Sequence, residues 1–420
     1  MINAPGPEAT VAAWLSYIES IHPASIDMGL DRVRSVGLAL GVLSPWSCPI
    51  VTVAGTNGKG TTVKSLTTLI NTLGYQVGAY TSPHLIDFAE RIEINLSPVS
   101  DAELINAFIL VEQTRVKLKQ TLTYFEFTTL AAFCIFKQHP LDVLILEIGL
   151  GGRLDAVNIL NPDISMITSI GLDHMEYLGD TLDKIALEKG GIIRSNKPVI
   201  IGAGANRPSL LAMAEEKHAE IYVRGRDFDD EQISGEGEWA NQLFPESVQL
   251  AVQALKLLSP TLGLMPHQIK LLLKNIPNIP LKGRFQKRIL NQVEWIIDVA
   301  HNSHAANWLV EKLNQLPAVP KTHIVWCSFI DKDLGGILAP FTQKRSCDID
   351  RNSTWYIGPL NHPRSATQEQ LNCLNKPIFE TFEQALNQAY NQAKPSDRIV
   401  VFGSFQAANE AFAFIKRIEG

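Results

Sequence analysis

Short apolar runs alternate along this chain with longer stretches in which apolar residues recur at helical spacing. The runs Val51–Ala54, Val77–Tyr80, Leu141–Leu146, Ile164–Ile170 and Val199–Ile201 predict buried strands. Between them, residues 8–21 place Val11, Trp14, Leu15 and Ile18 on one helical side. Further helices are predicted over Asp31–Leu40, Val63–Leu73, 101–119, Phe127–Phe136, 180–190, 247–258 and 266–275, the one at 101 announced by the capping box Ser100-x-x-Glu103. Buried strands that alternate with helices imply a doubly wound, mostly parallel sheet. The polar stretch 221–246, with Gly225, Gly235 and Gly237, is expected to add an antiparallel extension. Pro277, Pro280 and Gly283 then mark a break over 276–294. A second alternation follows. Its strands are Val293–Val299, His323–Cys327, Thr354–Ile357 and Arg398–Phe402, and its helices lie near 303–316, 367–375, 381–393 and 405–418. Thr367-x-x-Gln370 and Thr381-x-x-Gln384 repeat the capping pattern. The expected organisation is a first domain over 1–282, a linker over 283–294 and a smaller second α/β domain over 295–420.

A length of 420 residues suits two or three domains, and 45% hydrophobic with 19% charged residues indicates real cores. A net charge of −6 offers no excess of Lys and Arg to displace phosphate counterions, which argues against nucleic acid as a partner. The cysteines, Cys48, Cys134, Cys327, Cys347 and Cys373, are scattered without C-x-x-C spacing, so a reduced, cytoplasmic protein is expected. No signal peptide and no membrane-spanning run is read from the sequence, so no membrane partner is expected.

The first strand leads into Gly55-Thr56-Asn57-Gly58-Lys59-Gly60-Thr61-Thr62, followed at once by a helix. Strand, glycine loop and helix N-terminus make a polyphosphate cradle, because loop N–H groups, the helix dipole and a lysine all favour an anion. The spacing departs from G-x-x-x-x-G-K-[ST], with a shorter first gap and an additional Gly60. The alternative is a glycine-rich turn that binds nothing. In an open parallel sheet, ligands bind beyond the carboxyl ends of the strands. Ser82, Glu147 and His174 each follow a predicted strand, so they converge with the loop if those strands are neighbours. Glu147 is a candidate Mg²⁺ ligand beside phosphates, or a structural acid capping the turn Gly149–Gly152. His174 and Ser82 alone read equally as loop residues. Arg153 and Asp155 either contact a substrate or pair locally. Lys189, near a helix C-terminus, reads from its spacing as a dipole-compensating surface residue. Arg284, Asp298 and His301 are candidates to close over a nucleotide, although each alone reads as structural.

Taken together, these segments resemble the folylpolyglutamate synthases, in particular the bacterial bifunctional dihydrofolate synthase/folylpolyglutamate synthases, within the Mur-ligase superfamily. The resemblance spans nearly the whole chain. It rests on Ser25-Ile26-Asp27-Met28-Gly29-Leu30-Asp31-Arg32-Val33, the Gly55–Thr62 loop, Thr81-Ser82-Pro83-His84-Leu85 and Thr123-Tyr124-Phe125-Glu126. It continues through Leu146–Asp155, Thr168–His174, Glu188–Ile192, Gly283-Arg284-Phe285, Asp298–Asn302 and Gly403-Ser404-Phe405. It implies a P-loop NTPase-like first domain and a Rossmann-like second one. It also implies ATP-driven joining of L-glutamate to dihydropteroate and to tetrahydrofolates through an acyl phosphate. Folylpolyglutamate synthesis alone is the narrower alternative.

By position, the resemblance makes Thr56, Asn57, Gly58, Lys59, Gly60 and Thr61 the ATP phosphate site and Ser82, Glu147 and His174 Mg²⁺ ligands. Lys189 matches a lysine carbamylated in the superfamily, which replaces its surface reading and implies a second Mg²⁺ site. Arg284, Asp298 and Ser247 match nucleotide-binding positions, and His301 lies beside them; Lys59, Lys189 and His301 are the expected catalytic residues. Asp27, Met28, Gly29, Leu30, Thr123, Tyr124, Phe125, Glu126 and Leu154 match the pterin and folate region. Ser247 stands where asparagine is usual, and serine lacks the paired donor and acceptor of an amide. The expected cofactors are ATP and Mg²⁺, with a monovalent cation as a further candidate, and the chain is expected to act as a monomer. Two other readings compete. A Mur ligase for nucleotide-linked peptides needs a separate domain that the short stretch before residue 51 does not provide. A switch or motor NTPase would turn over ATP without an amino acid.

Overall fold

The structure, a computed structural model, describes residues 4–24, 26–229, 245–277, 279, 281–343, 352–372 and 376–419. Ser25, Pro280, Cys347, Cys373 and most of the stretch 221–246 lie outside the described residues. The chain divides into two compact units, one up to residue 279 and one from residue 280 onward.

In the first unit, β1 (Ile50–Ala54) lies between β5 (Val143–Glu147) and β6 (Ile164–Ile167), parallel to both. β2 (Val77–Tyr80) adds to β5, while β7 (Pro198–Ile201) and β8 (Glu220–Val223) continue beyond β6, all in parallel. β1, β2, β5 and β6 are buried at every position, so both faces demand apolar side chains and no alternation shows in the sequence. At the other edge, β3 (Ile92–Ile94) and β4 (Ser97–Pro98) are antiparallel, joined through Asn95 and Leu96, both at positive φ. The antiparallel extension expected over 221–246 falls mostly outside the described residues, and of that stretch β8 is parallel. β8 runs parallel because helix α8 (Pro208–Glu216) carries the chain back across the sheet, whereas no such α-helix separates β2 from β3.

Helix α1 (Val11–Ser20) and helix α2 (Asp31–Ala39) pack with α4 (Asp101–Lys117) and α5 (Tyr124–Phe136) over one face of the sheet. Trp14, Phe88, Phe108 and Phe127 interlock there at 5.9–6.1 Å between ring centroids. Ser100 and Glu103 form the expected capping box, and Thr123 with Glu126 forms a second one that starts α5 ahead of Phe127. Helix α3 (Lys59–Thr72) begins at Lys59 rather than Val63, because the glycine loop itself supplies the first turn, with Gly58 in the left-handed region as N-cap.

The second unit is a five-stranded sheet. Its strands are β9 (Gln286–Leu290), β10 (Val293–Ile297), β11 (Thr322–Trp326), β12 (Ser353–Ile357) and β13 (Arg398–Phe402), in the order β12-β11-β13-β10-β9. All neighbours are parallel except β9 and β10, a hairpin turned by Asn291 and Gln292. β9 falls within the stretch read as a linker. It is a mostly exposed edge strand carrying Lys287 and Arg288, so it lacks the apolar run that marks a buried strand.

Candidate active site

The order β2-β5-β1-β6 makes the carboxyl ends of four strands adjacent. The loop after β1 therefore lies beside the residues that follow β5 and β6, as the sequence expectation required. Gly55 stands at φ 151°, and a Cβ there would meet Thr168 Oγ1 at 1.9 Å, so only glycine fits. The segment after β6 clamps the loop. Thr168 donates to Asn57 O at 2.6 Å, and Ser169 Oγ accepts from Asn57 N at 3.0 Å. The Thr56 N–H donates to Ser169 O, and Thr56 Oγ1 accepts from Gly171 N at 2.9 Å. The sequence gives Thr168, Ser169 and Gly171 no role of their own, because their place beside the glycine loop depends on β6 adjoining β1.

Two lysines meet on this loop. Lys59 Nζ donates to Gly55 O at 3.0 Å and to Thr56 O at 3.3 Å. Lys189, on α7 (Leu182–Gly190), donates to the same Gly55 O at 3.0 Å and is only 4% exposed. Its reading as a surface residue is corrected here, since the helix C-terminus turns inward. Burial first, and the charge of Lys59 second, push its ammonium down to about 7. Asp173 and Asp155 oppose that shift.

Glu147 ends β5 and is buried, and its Oε2 accepts the Ser82 N–H at 3.1 Å. A Cβ at Gly60 would lie 3.4 Å from the same oxygen, so the additional glycine brings the first turn of α3 against this carboxylate. The Gly149–Gly152 turn is held by Asp155, which accepts from Leu150 N at 2.8 Å and Val157 N at 3.0 Å. Burial raises the Asp155 carboxyl to about 7 despite these bonds. Arg153 pairs with Glu188 at 2.7 Å, not with Asp155. His174 caps the short helix α6 (Met175–Leu178) at φ 49° and is partly exposed, with Nε2 3.9 Å from Asp173. A buried carboxylate, a serine and an imidazole beside a phosphate-type loop suit a hard divalent cation that completes its shell with phosphate oxygens and water. Among the described residues no three His, Cys, Asp or Glu side chains form a closed cage, and such an ion needs none.

Two of the residues matched to the pterin region, Asp27 and Glu126, are joined by one arginine. Arg32 donates to Glu126 at 2.9 Å and to the Asp27 carboxylate at 2.7 Å, and also reaches the Asp27 carbonyl. Burial pulls the Arg32 charge down, but the two carboxylates more than offset it and hold its pKa above the ordinary value. Phe125 packs on Gly149, where a Cβ would come within 2.5 Å of its ring. This contact seats the start of α5 against the turn that carries Leu154. Ser247, at the start of the helix Pro245–Leu262, is 3% exposed and donates to Gly58 O at 3.5 Å.

Within the second unit, Arg284 and His301 both lie against Phe405, with the guanidinium 5.3 Å from the ring centroid and the rings 6.2 Å apart. Asp298 is buried and accepts from Phe285 N and Ala300 N, each at 2.7 Å. Burial raises its carboxyl, with Arg284 opposing.

Two family models match, the Mur ligase middle domain over residues 53–263 and the Mur ligase glutamate ligase domain over 283–405. The dihydrofolate synthase/folylpolyglutamate synthase of Escherichia coli (strain K12) is 39% identical over 417 residues, covering 96% of this chain and 95% of that protein. E. coli FolC solved in complex with DHPP and ADP superposes with a TM-score of 0.86 at 35% identity, over 99% of this chain and 100% of that one. A bifunctional folylpolyglutamate synthase/dihydrofolate synthase with Mn, AMPPNP and L-glutamate bound gives a TM-score of 0.84 at 36% identity, over the same shares.

Proposed function

This chain belongs to the dihydrofolate synthase/folylpolyglutamate synthase family of Mur ligases, and we infer that it carries out that family's reaction. It is an ATP-dependent ligase that joins L-glutamate to dihydropteroate, forming dihydrofolate, and to tetrahydrofolates, forming folylpolyglutamates. One observation supports this most: the loop after β1, the carboxylate ending β5 and the amine of Lys189 meet at Gly55 and Gly60.

A carboxylate is a poor electrophile. We propose that ATP converts it to an acyl phosphate, that the glutamate amine attacks the acyl carbon, and that phosphate leaves the tetrahedral intermediate. The N–H groups at the start of α3, with Lys59, bind the phosphates. Glu147, Ser82 and His174 would hold Mg²⁺, which supplies charge neutralisation on the transferring phosphoryl group. Arg284, Asp298 and Ser247 bind the nucleotide, and His301 assists beside them. Asp27–Leu30, Thr123–Glu126 and Leu154 receive the pterin. Lys189 is the carbamylation candidate: a buried amine with a pKa near 7 is substantially neutral at physiological pH, the form that adds CO₂. The carbamate would replace a buried positive charge by a carboxylate able to hold a second Mg²⁺. The proposal includes a monovalent cation, a monomeric enzyme and a cytoplasmic location. Among the described residues no helix is long and apolar enough to cross a membrane.

The test is purified protein with ATP, Mg²⁺, L-glutamate and either dihydropteroate or tetrahydrofolate, followed by mass spectrometry. A glutamyl adduct of each acceptor, with phosphate release that needs both co-substrates, is the expected result. Phosphate release without them would point to a switch NTPase instead. Glu147→Gln keeps an acceptor for the Ser82 N–H but removes the charge. It is expected to lower turnover by roughly 10²-fold at saturating ATP and to raise the metal concentration needed, with the unfolding midpoint held. A metal titration of steady-state rate checks this.

A further inference from the structure

Among the described residues three arginines are buried, and two of them face a carboxylate. Arg115 meets Glu112 at 2.6 Å, and Arg398 meets Glu294 at 2.6 Å. The third, Arg91, is 8% exposed, and none of the ion pairs among the described residues includes it. Its guanidinium lies over the Phe88 ring at 5.3 Å and the Tyr124 ring at 5.6 Å. Its Nε donates to His84 Nδ1 at 2.9 Å. A ring nitrogen that accepts a hydrogen bond carries no proton, so this imidazole gives Arg91 an acceptor but no counter-charge. The neighbouring Glu90 carboxylate is turned toward the N–H groups of Leu85 and Ile86. A guanidinium does not lose its proton in a protein, and aromatic faces offset only part of the cost of burying it. The two Nη groups therefore present fixed donors in the fork geometry that matches a carboxylate.

The location narrows the choice of anion. The Arg91 carbonyl accepts the Thr81 N–H at 2.9 Å, one residue before Ser82, which binds Glu147. Tyr124, on the other side of the guanidinium, opens α5 next to Phe125, which packs on Gly149. Arg91 thus stands between the candidate metal residues and the candidate pterin residues. An aromatic acid that reaches from the second group to the first carries its carboxylate past this point. We propose that Arg91 receives a carboxylate of the pteridine acceptor through its two Nη groups, with Phe88, Tyr124 and His84 fixing the plane of the guanidinium. This assignment rests on the ligase reading given above. Dihydropteroate offers only its reacting carboxylate, whereas a tetrahydrofolate offers also the α-carboxylate of its terminal glutamate.

Full-length Arg91→Met and Arg91→Lys enzymes test the assignment. The measurements are equilibrium binding of dihydropteroate, of its carboxamide analogue and of tetrahydrofolate by fluorescence, with KM for ATP and the unfolding midpoint alongside. Arg91→Met is expected to weaken carboxylate ligands roughly 10- to 100-fold while leaving the carboxamide and the KM for ATP unchanged. Arg91→Lys recovers part of the loss. The midpoint stays level or rises, since an uncompensated charge is removed. Weakening of both acceptors assigns Arg91 to the reacting carboxylate; weakening of tetrahydrofolate alone assigns it to the α-carboxylate. Unchanged binding of both, equal weakening of acid and amide, or a lowered midpoint with a raised KM for ATP would each overturn the proposal. Because binding is read without turnover, a wild-type protein that binds these acids but does not ligate them would sink the ligase reading and leave the assignment of Arg91 standing.

Discussion

Lys189→Ala loses glutamate ligation by on the order of 10²- to 10³-fold, and short carboxylic acids added to the assay return part of it. The amine is buried against Gly55 O and shares that oxygen with Lys59. Removing it takes away the hydrogen bond by which α7 holds the phosphate-type loop. If the working form is the carbamate, a small carboxylate can enter the space left by the side chain, whereas an amine cannot replace it. Product formation by mass spectrometry, with and without acetate or formate, reads both effects. Activity equal to wild type would remove Lys189 from the mechanism.

The same residue makes a stability prediction of defined sign. In CO₂-free buffer, burial lowers the folded-state pKa of Lys189 to about 7 from 10.5. The unfolded chain then binds the proton more tightly, so the charged lysine destabilises the fold in full below pH 7. The penalty declines as pH rises from 7 toward 10.5. Lys189→Met removes it. The variant is expected to unfold at a higher temperature than wild type at pH 6, with the gain shrinking by pH 9, as thermal unfolding followed by circular dichroism at both values will show.

Gly55→Ala weakens nucleotide binding severely. Its Cβ would lie 1.9 Å from Thr168 Oγ1 and 3.2 Å from Ser169 N, the groups that clamp the loop. The φ of 151° is also one that L side chains rarely adopt. Accommodating the methyl requires the β1 and β6 segments to part, which breaks the bonds of Thr168 and Ser169 to Asn57. ATP affinity is expected to fall by roughly 100-fold or more, and stability by about 2 kcal/mol. Gly204→Ala is the control: a Cβ there meets nothing closer than 3.5 Å, so nucleotide affinity and stability should hold. Isothermal titration with an ATP analogue and denaturant unfolding of both variants check the pair.

The elements themselves were legible where burial is two-sided or a cap is local. β1, β2 and β5 read as mostly apolar runs because both faces are buried, and Ser100 with Glu103 reads as a helix start because the cap is completed within one turn. β9 was hidden because an exposed edge strand with Lys287 and Arg288 carries no apolar signature. Thr123-Tyr124-Phe125-Glu126 resembles a substrate region in sequence, and Thr123 with Glu126 also caps α5. Arg32, which ties Asp27 to Glu126, could not be singled out, since its partners lie 5 and 94 positions away.

By itself the sequence determined the strand–glycine loop–helix unit, the alternation of elements, and which residue types follow the strands, because these depend on contacts between near neighbours in the chain. The tertiary structure alone decided what those residues face. The order β2-β5-β1-β6 is a matter of which crossover lands beside which strand, and that depends on packing between segments 66 to 113 residues apart. Only that order sets Glu147 beside Gly60 and Lys189 beneath Gly55. Only it buries Arg91 with no carboxylate facing it among the described residues, since a charge partner is a property of the fold and not of the local sequence.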